Sequence, residues 1–300
     1  METIVTLIGP YASGAPPLDQ PLVEFVRAAL VSAGGQPGAT DWLDPGHAAD
    51  LSATGLDPEH AQTAARAALG IRKIDVIAQP AADRRKKLLV ADMDATIVTG
   101  ETLDELADIA GIGAKVAEIT ARAMNGEIDF AAALRERVSL LYGLPVAVLD
   151  QVMPRLALTA GAQTLVRTMR SHGGYAVLVS GGFRFFTTHV RALCGFDEDQ
   201  ANDLEIRDGR LTGRVIAPIR GRRAKRDTLI ETADRLGVAI EQTLAVGDGA
   251  NDLDMLLEAG LGVAFRAKPS VAAAAEARVE YADLTALLFA QGYRKTEFVA

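Results

Sequence analysis

Cysteine is almost absent from this chain, and long apolar segments are missing altogether. Cys194 is the only cysteine in 300 residues, which excludes an intrachain disulfide and fits a reducing compartment. No apolar run approaches the roughly 20 residues that a membrane-spanning helix needs. The first residues, METIVTLIGP, lack the basic region and the apolar core of a secretory signal. These absences predict a cytoplasmic protein that has no membrane segment.

An excess of positive charge is missing as well. The chain has 31 Lys and Arg against 39 Asp and Glu, a formal net charge of −8, which argues against a general nucleic-acid-binding surface. The one basic run, at 84–87, directly precedes a predicted strand, so we expect a solvated linker there and not a binding patch. The four histidines do not show the spacing of metal ligands. We therefore expect neither a nucleic-acid partner nor a histidine metal site.

The pattern of apolar residues predicts two units joined by a short polar linker. Residues 1–80 read as strand, helix, strand, helix, strand, which predicts a small α+β unit. Residues 81–86 form the linker. In residues 87–300, strands alternate with helices and predict an α/β fold with a doubly wound, Rossmann-like parallel sheet. A helical block at about 102–158 follows the first strand of that unit and predicts a cap beside it. The strands of the first unit are placed at 2–9, 40–43 and 74–78, and the last element of the second unit is a helix from about Pro269.

The rest of the chain is organised around one stretch, LLVADMDAT at 88–96. Its apolar half predicts a buried strand of a parallel sheet. Asp92 and Asp94 stand at the carboxyl end of that strand, where open α/β sheets bind their ligands. Two carboxylates so close together repel each other unless they share a cation or a proton. The pattern therefore predicts a metal site or acid–base chemistry, and the alternative is a loop whose Asp residues cap the next helix.

Two further buried strands end in polar signatures. SGG at 180–182 follows one strand, GDGAND at 247–252 follows another, and Lys225 opens a helix between them. Each feature alone could be a turn, a helix cap or a solvated lysine. Their joint occurrence in this order suits phosphoryl transfer, which needs an in-line nucleophile, a metal and hydrogen-bond donors around the phosphate oxygens.

Each of these residues can take a different role in phosphoryl transfer. Asp92 can act as a carboxylate nucleophile that forms an aspartyl-phosphate, and Asp94 can act as general acid and base. Asp248 with Asp92 offers the oxygen ligands that Mg²⁺ accepts. The Ser180 hydroxyl, the amides after it and Lys225 can donate to the phosphate.

The four signatures resemble those of the haloacid dehalogenase (HAD) superfamily, and the resemblance spans about residues 88–265. Within the superfamily, the chain is most similar to the phosphoserine phosphatases. Three segments carry this narrower resemblance: GETLDELADIAG at 100–111, AMNGEIDFAAALRERVSLLYGLP at 123–145 and LTGRVIAPI at 211–219. Ala95 departs from the family, which usually has serine at this position. Residues 1–80 resemble an ACT-type regulatory domain in topology.

The resemblance implies Mg²⁺-dependent hydrolysis of the small molecule O-phospho-L-serine, the last step of serine biosynthesis, and leaves a homodimer open. In the cap, Glu101 would pair with the substrate's ammonium and Arg137 would hold its carboxylate. Asp94 would also give its backbone carbonyl to the metal, and Asp252 would support the metal site. The implied catalytic residues are Asp92 and Asp94, the metal ligands are Asp92, Asp94 and Asp248, and the substrate-binding residues are Glu101, Met124, Phe130, Arg137, Ser180, Gly181, Lys225 and Asn251.

Two alternatives remain open from the sequence. One is another capped phosphatase or phosphotransferase of the superfamily, acting on a different small phosphomonoester. The other is a non-catalytic amino-acid sensor with residues 1–80 as its working part. A sensor has no need of a nucleophile, so the set Asp92, Asp94, Lys225 and Asp248 argues against it.

Overall fold

The computed structural model describes residues 2–11, 17–124 and 127–300, without the side chain of Met124. Within the first 80 residues, four antiparallel strands form a sheet in the order β2-β3-β1-β4. Asp19 and Asp57 cap the two helices by accepting hydrogen bonds from the backbone N–H groups of Leu22 and His60. The elements are β1 (Glu2–Ile8), α1 (Gln20–Ser32), β2 (Gln36–Asp44), β3 (Ala48–Thr54), α2 (Pro58–Leu69) and β4 (Asp75–Pro80).

The prediction of three strands in this unit is wrong, because β3 is a fourth. Its sequence, AADLSAT, is rich in residues of low strand propensity. The strand nevertheless lies between β1 and β2, and Ala48, Ala49 and Leu51 are fully buried there. Packing in the middle of the sheet, which the local sequence does not reveal, therefore determines this strand.

The second sheet has seven strands in the order β11-β10-β9-β5-β6-β7-β8. All neighbours are parallel except β7 and β8. Its strands are β5 (Leu88–Asp92), β6 (Tyr175–Phe183), β7 (Glu198–Arg207), β8 (Arg210–Ile216), β9 (Thr243–Gly247), β10 (Leu261–Phe265) and β11 (Ala277–Val279). The helices are α3 (Thr102–Ile109), α4 (Gly113–Met124), α5 (Phe130–Ser139), α6 (Ala162–Ser171), α7 (Arg184–Cys194), α8 (Arg222–Leu236), α9 (Leu253–Glu258), α10 (Pro269–Ala274) and α11 (Ala286–Ala290).

Strand β5 lies in the middle of this sheet and is buried on both faces. Leu89 and Ala91 pack into the apolar cluster that contains α6 and α7, whereas Leu88 and Val90 pack into the cluster under α8 and α9. Burial on both faces explains the uninterrupted apolar run. The α/β fold with a doubly wound sheet is thus confirmed, and helices α3 to α5 form the block that follows β5.

The structure corrects three further expectations. The helix from Pro269 is short and is not the last element, since β11 and α11 follow it. The sequence predicts a strand at Leu204–Ile206, but β7 begins six residues before Leu204, at Glu198, and pairs in parallel with β6. The run at 84–87 is not a solvated linker: Arg84 forms an ion pair with Asp50, and Lys86 is buried with its ammonium group donating to the Glu241 carbonyl. Among the helices of the described ranges, none is long and apolar enough to span a membrane.

Candidate active site

The chain turns sharply at the carboxyl end of β5 and sets Asp94 against two other segments. Ala95 adopts a left-handed backbone conformation in this turn, with φ of 54°. The Oδ1 oxygen of Asp94 accepts a hydrogen bond from the Thr102 N–H at 2.8 Å, and the Oδ2 oxygen accepts one from the Ser180 hydroxyl at 2.9 Å. The first helix of the cap and the end of β6 therefore both fix the Asp94 carboxylate.

Lys225 lies beneath the turn, between two carboxylates. Its Nζ atom is 2.6 Å from Asp92 Oδ1 and 2.5 Å from Asp252 Oδ1. The second oxygen of Asp252 accepts a hydrogen bond from the Gly249 N–H at 2.9 Å. Asp92 Oδ1 also accepts the Met93 N–H, so the partners of Asp92 among the described residues are on this one oxygen. The other oxygen of Asp92 is available for chemistry.

One ammonium between two buried carboxylates leaves this group with a net negative charge. Burial, together with the nearby Asp252, raises the pKa of Asp92 well above its usual range, although Lys225 opposes the shift. Burial and Asp252 also raise the pKa of Asp248. Burial alone would lower the pKa of Lys225, but Asp252 and Asp92 outweigh it and the pKa lies above its usual value. Such a group is stabilised by a further cation.

The described residues contain one acidic group that could hold a metal ion, and its chemistry fits Mg²⁺. Carboxylate oxygens of Asp92, Asp248 and Asp252 lie within 4.8 Å of one another. Hard oxygen ligands of this kind suit Mg²⁺, which keeps several waters and commonly takes only one or two carboxylates. Both oxygens of Asp252 are already engaged, by Lys225 and by the Gly249 N–H. Asp92 and Asp248 are therefore the available side-chain ligands, and Asp252 supports them.

The residues SGG at 180–182, which the sequence places after a strand, lie inside β6 near its end, where the pairing with β7 is irregular. The Gly182 N–H donates to the Ser180 hydroxyl at 2.8 Å. Asn202, buried on β7, donates to the carbonyls of Gly181 (2.8 Å) and Arg220 (3.0 Å) and accepts the Arg220 N–H at 2.6 Å. One amide side chain thus joins the segment at 180–182 to the loop that leads into α8 and Lys225. Sequence reasoning missed Asn202, because nothing local marks it as different from other strand residues.

A cavity of about 120 Å³ opens above these carboxylates. One wall is formed by the cap residues Phe130, Leu134 and Arg137. The ring of Phe130 comes so close to two glycines that an added Cβ would lie 3.0 Å from it at Gly181 and 2.9 Å from it at Gly221. The close approach of the cap to the sheet therefore depends on glycine at both positions.

Two charged cap residues face the cavity. Arg137 is half-buried, and its Nε donates to the Ala133 carbonyl at 3.3 Å. Glu101 lies at the mouth of the cavity, where it keeps contact with solvent. Partial burial in the cleft, with the carboxylates of Asp94 and Asp248, raises the pKa of Glu101 to about 7. A positively charged ligand group would favour the ionised form of Glu101.

The structure brings most of the predicted site residues together. Met124 lies at the end of α4, and its side chain is outside the described part of the chain. Ser180, Lys225 and Asp252 lie just beneath the cavity surface. The cavity is also lined by six residues that are not among the predicted site residues: Thr102, Leu103, Leu134, Gly182, Gly249 and Lys268. The predicted residues that line the cavity are Asp92, Asp94, Glu101, Phe130, Arg137, Gly181, Asp248 and Asn251.

Residues 89–257 match the family of haloacid dehalogenase-like hydrolases. The chain belongs to this family. A phosphoserine phosphatase of Streptomyces coelicolor is 44% identical to this hydrolase over 259 residues, 85% of the chain. The match covers 63% of that relative, so this hydrolase spans less than two thirds of the relative's length.

Two solved structures resemble this hydrolase closely. A probable phosphoserine phosphatase from Vibrio cholerae is 33% identical with a TM-score of 0.79, and the match covers 99% of the chain and 88% of that structure. A phosphoserine phosphatase solved as a phospho-aspartyl intermediate analogue is 39% identical with a TM-score of 0.63, covering 68% of the chain and 98% of that structure. The first resemblance includes the four-stranded unit, and the second is confined to about two thirds of the chain.

Proposed function

We propose that this hydrolase is a Mg²⁺-dependent phosphoserine phosphatase. One observation carries the proposal: a carboxylate nucleophile, an acid–base carboxylate, a metal-binding carboxylate and a pair of opposite charges all face one small cavity. The first three groups suit phosphoryl transfer. The pair, Glu101 and Arg137, suits a substrate that carries both an ammonium and a carboxylate. Two of the relatives named above are phosphoserine phosphatases and the third is a probable one, which agrees with this substrate.

In the first step, an oxygen of Asp92 attacks the phosphorus of the substrate. The bond between phosphorus and the serine oxygen breaks, and Asp94 gives that oxygen a proton, so serine leaves as the neutral alcohol. Phosphate remains on Asp92 as an acyl phosphate. The Ser180 hydroxyl, the amides after it and Lys225 bind the phosphate oxygens.

In the second step, Asp94 takes a proton from a water molecule, which attacks the phosphorus. The bond between phosphorus and the Asp92 oxygen breaks, so inorganic phosphate is released and the free carboxylate of Asp92 is restored. The contact from the Thr102 N–H holds Asp94 where both proton transfers can occur, and the Ser180 hydroxyl, which donates to Asp94 in the structure, would turn to the phosphate when it binds. Mg²⁺, held by Asp92, Asp248 and the Asp94 carbonyl, would neutralise phosphate charge and align the phosphate with the nucleophile.

The cap residues would recognise the serine part of the substrate. Glu101 accepts hydrogen bonds from the ammonium group of the substrate. The planar guanidinium of Arg137 donates two hydrogen bonds to the carboxylate of the substrate. Phe130, packed on Gly181 and Gly221, closes the wall above the phosphate site and excludes water.

The test is phosphate release from a panel of phosphomonoesters, with Mg²⁺ and with EDTA. The panel contains L-phosphoserine, phosphothreonine, phosphoethanolamine and an aryl phosphate. We expect Mg²⁺-dependent release that is fastest with L-phosphoserine and weaker with phosphoethanolamine. Release from the aryl phosphate alone would agree with the phosphatase mechanism and would overturn the assignment of phosphoserine as the substrate. If phosphate is released from none of these substrates, the proposed phosphatase activity is wrong and the alternative of a non-catalytic amino-acid sensor is favoured.

The remaining expectations from the sequence also stand as proposals. We propose a division at residues 81–86 between an ACT-like regulatory domain (1–80) and a phosphatase domain (87–300) whose cap is at about 102–158. The separate sheets on either side of the linker support this division. We further propose a cytoplasmic location, because the single cysteine fits a reducing compartment.

A further inference from the structure

The charge of the cavity wall is unbalanced, and Lys225 does not correct it. Four carboxylates line the cavity, those of Asp92, Asp94, Glu101 and Asp248. Lys225 is only 2% exposed and lies against both Asp92 and Asp252, so its charge is already neutralised. An incoming phosphate, itself an anion, therefore meets an excess of negative groups. Mg²⁺ at Asp92 and Asp248 would offset part of this charge, and further cations on the path of entry would help the site to capture its ligand.

Two cations line the cavity wall, and they stand on different elements. Arg137 belongs to the cap, whereas Lys268 stands at the start of α10, on the side of the sheet. The Lys268 N–H donates to the Asp248 carbonyl at 3.3 Å, which fixes its backbone next to a metal-binding residue. Its side chain is exposed at the cavity and forms no ion pair with any of the described residues. The ammonium group of Lys268 is therefore free to act on a ligand.

The backbone that carries Lys268 is held firmly from behind. Arg266 adopts a left-handed conformation with φ of 44°. Its N–H donates to the Val279 carbonyl at 2.8 Å, and its guanidinium donates to the Ala282 carbonyl at 3.0 Å. Pro269 follows and begins α10. The loop at 266–269 thus presents one lysine to the cavity from a fixed position.

We propose that Lys268 is a further substrate-binding residue, which attracts the phosphate end of the substrate from the Asp248 side of the cavity. This inference rests on the proposed phosphatase function. It assigns the two free cations to opposite ends of the substrate, Arg137 to the carboxylate and Lys268 to the phosphate. A lysine suits this purpose because its ammonium is a compact charge on a flexible chain and needs no fixed hydrogen-bond geometry.

The experiment compares Lys268→Gln with Lys73→Gln, an exposed lysine of the four-stranded unit that gives the same change in net charge. At low ionic strength, we expect Lys268→Gln to lower kcat/KM about tenfold for both L-phosphoserine and phosphoethanolamine, with kcat within about twofold of wild type. High salt should shrink the deficit, and Lys268→Arg should restore most of the activity. Lys73→Gln should behave as wild type.

Calorimetric titration with inorganic phosphate in the presence of Mg²⁺ makes the test independent of the substrate. We expect Lys268→Gln to weaken phosphate binding by about the same factor, roughly tenfold. Unchanged phosphate affinity would overturn the inference whichever phosphomonoester the enzyme uses. A loss confined to phosphoserine would also overturn it, because Lys268 would then act on the carboxylate. Wild-type protein that binds phosphate but does not hydrolyse phosphoserine would count against the proposed function alone.

Discussion

Arg137 is the residue whose removal separates the two ends of the proposed substrate. We expect Arg137→Ala to lower kcat/KM for L-phosphoserine about 100-fold, because a bidentate charged contact is lost. The effect on phosphoethanolamine, which has no carboxylate, should stay within about threefold. Steady-state kinetics on both substrates measures the difference. Equal losses on the two substrates would mean that Arg137 does not bind the carboxylate.

Glu101 gives the site a pH dependence with a defined sign. Because its pKa lies at about 7 in the metal-free site, Glu101 is increasingly protonated below that pH and loses its attraction for an ammonium. We expect kcat/KM for L-phosphoserine to rise with pH through an inflection at or below 7, since a bound cation lowers this pKa. In Glu101→Gln, this inflection should be absent.

Thermal unfolding of the metal-free protein provides the control for Glu101. A carboxyl group whose pKa is higher in the folded than in the unfolded chain destabilises the fold as the pH rises from about 4.5 through 7. Glu101→Gln should therefore be at least as stable as wild type at pH 8. A lower Tm together with an unchanged pH profile would contradict the assignment of Glu101 to ammonium binding.

At the scale of elements, the contact between α5 and the loop before α8 decides how closely the cap can approach the sheet. Gly221 has an ordinary φ of −127°, so alanine can adopt its conformation, but the new Cβ would lie 2.9 Å from the Phe130 ring. We expect Gly221→Ala to lower kcat/KM about tenfold through displacement of the cap, at the cost typical of overpacking. Kinetics with L-phosphoserine measures the loss.

A matched glycine and a compensating change test this contact. A Cβ at Gly100 would meet no atom within 4 Å, so Gly100→Ala should keep nearly full activity. Adding Phe130→Leu to Gly221→Ala should restore part of the lost kcat/KM, because the smaller side chain makes room. If Gly221→Ala is as active as Gly100→Ala, the approach of Phe130 to Gly221 does not matter for turnover.

Elements with a strong local signal could be predicted from the sequence, and elements defined by their neighbours could not. The sequence predicts a helix from about Pro58 to Leu69, and α2 has these bounds, because Asp57 caps it and Gly70 ends it. The central strand β5 is marked by its apolar run. Strands β3 and β11 lack such a mark: AADLSAT has few β-branched residues, and ARV at 277–279 is too short to show a period. Both strands form because an adjacent strand offers them hydrogen bonds.

At the scale of the whole molecule, Arg84 joins the four-stranded sheet to helix α11. Its guanidinium is 2.7 Å from Asp50 on β3, donates to the Thr6 hydroxyl on β1, and donates to the Phe289 and Ala290 carbonyls of α11. Arg84→Met would leave Asp50 buried without its partner. We expect the free energy of unfolding to fall by about 3 kcal/mol, as found when one member of a buried ion pair is removed. Denaturant unfolding at pH 8 measures the change.

The pH dependence of this loss identifies its cause. Burial raises the pKa of Asp50, and Arg84 opposes the shift. Without Arg84 this pKa rises further, so a falling pH protonates Asp50 and removes the unpaired charge. The stability deficit of Arg84→Met should therefore shrink between pH 8 and pH 5, and Asp50→Asn in the same chain should reduce it at pH 8. A deficit that does not change with pH would point to lost packing and not to the charge.

In the candidate site, too, residues with a local sequence signal could be predicted, and residues defined by distant contacts could not. Asp92, Ser180 and Asp248 could be predicted because each lies near the carboxyl end of a buried strand, and the carboxyl ends of parallel strands share one edge of the sheet. Lys268 follows β10 in the same way, but RAK at 266–268 has no glycine or carboxylate to single it out. Asn202 and Arg84 act only through contacts more than 15 residues away in sequence. Residues of this kind become visible only when the strand order is known.

In the proposed mechanism, Asp92 carries the phosphate during turnover of phosphoserine. An acid quench of the protein during turnover of L-phosphoserine with Mg²⁺, followed by mass-spectrometric mapping, identifies the phosphorylated residue. We predict an acyl phosphate on Asp92, and neither phosphoprotein nor turnover in the isosteric variant Asp92→Asn. Phosphate on another residue, or near-normal turnover by folded Asp92→Asn, would mean that Asp92 is not the nucleophile.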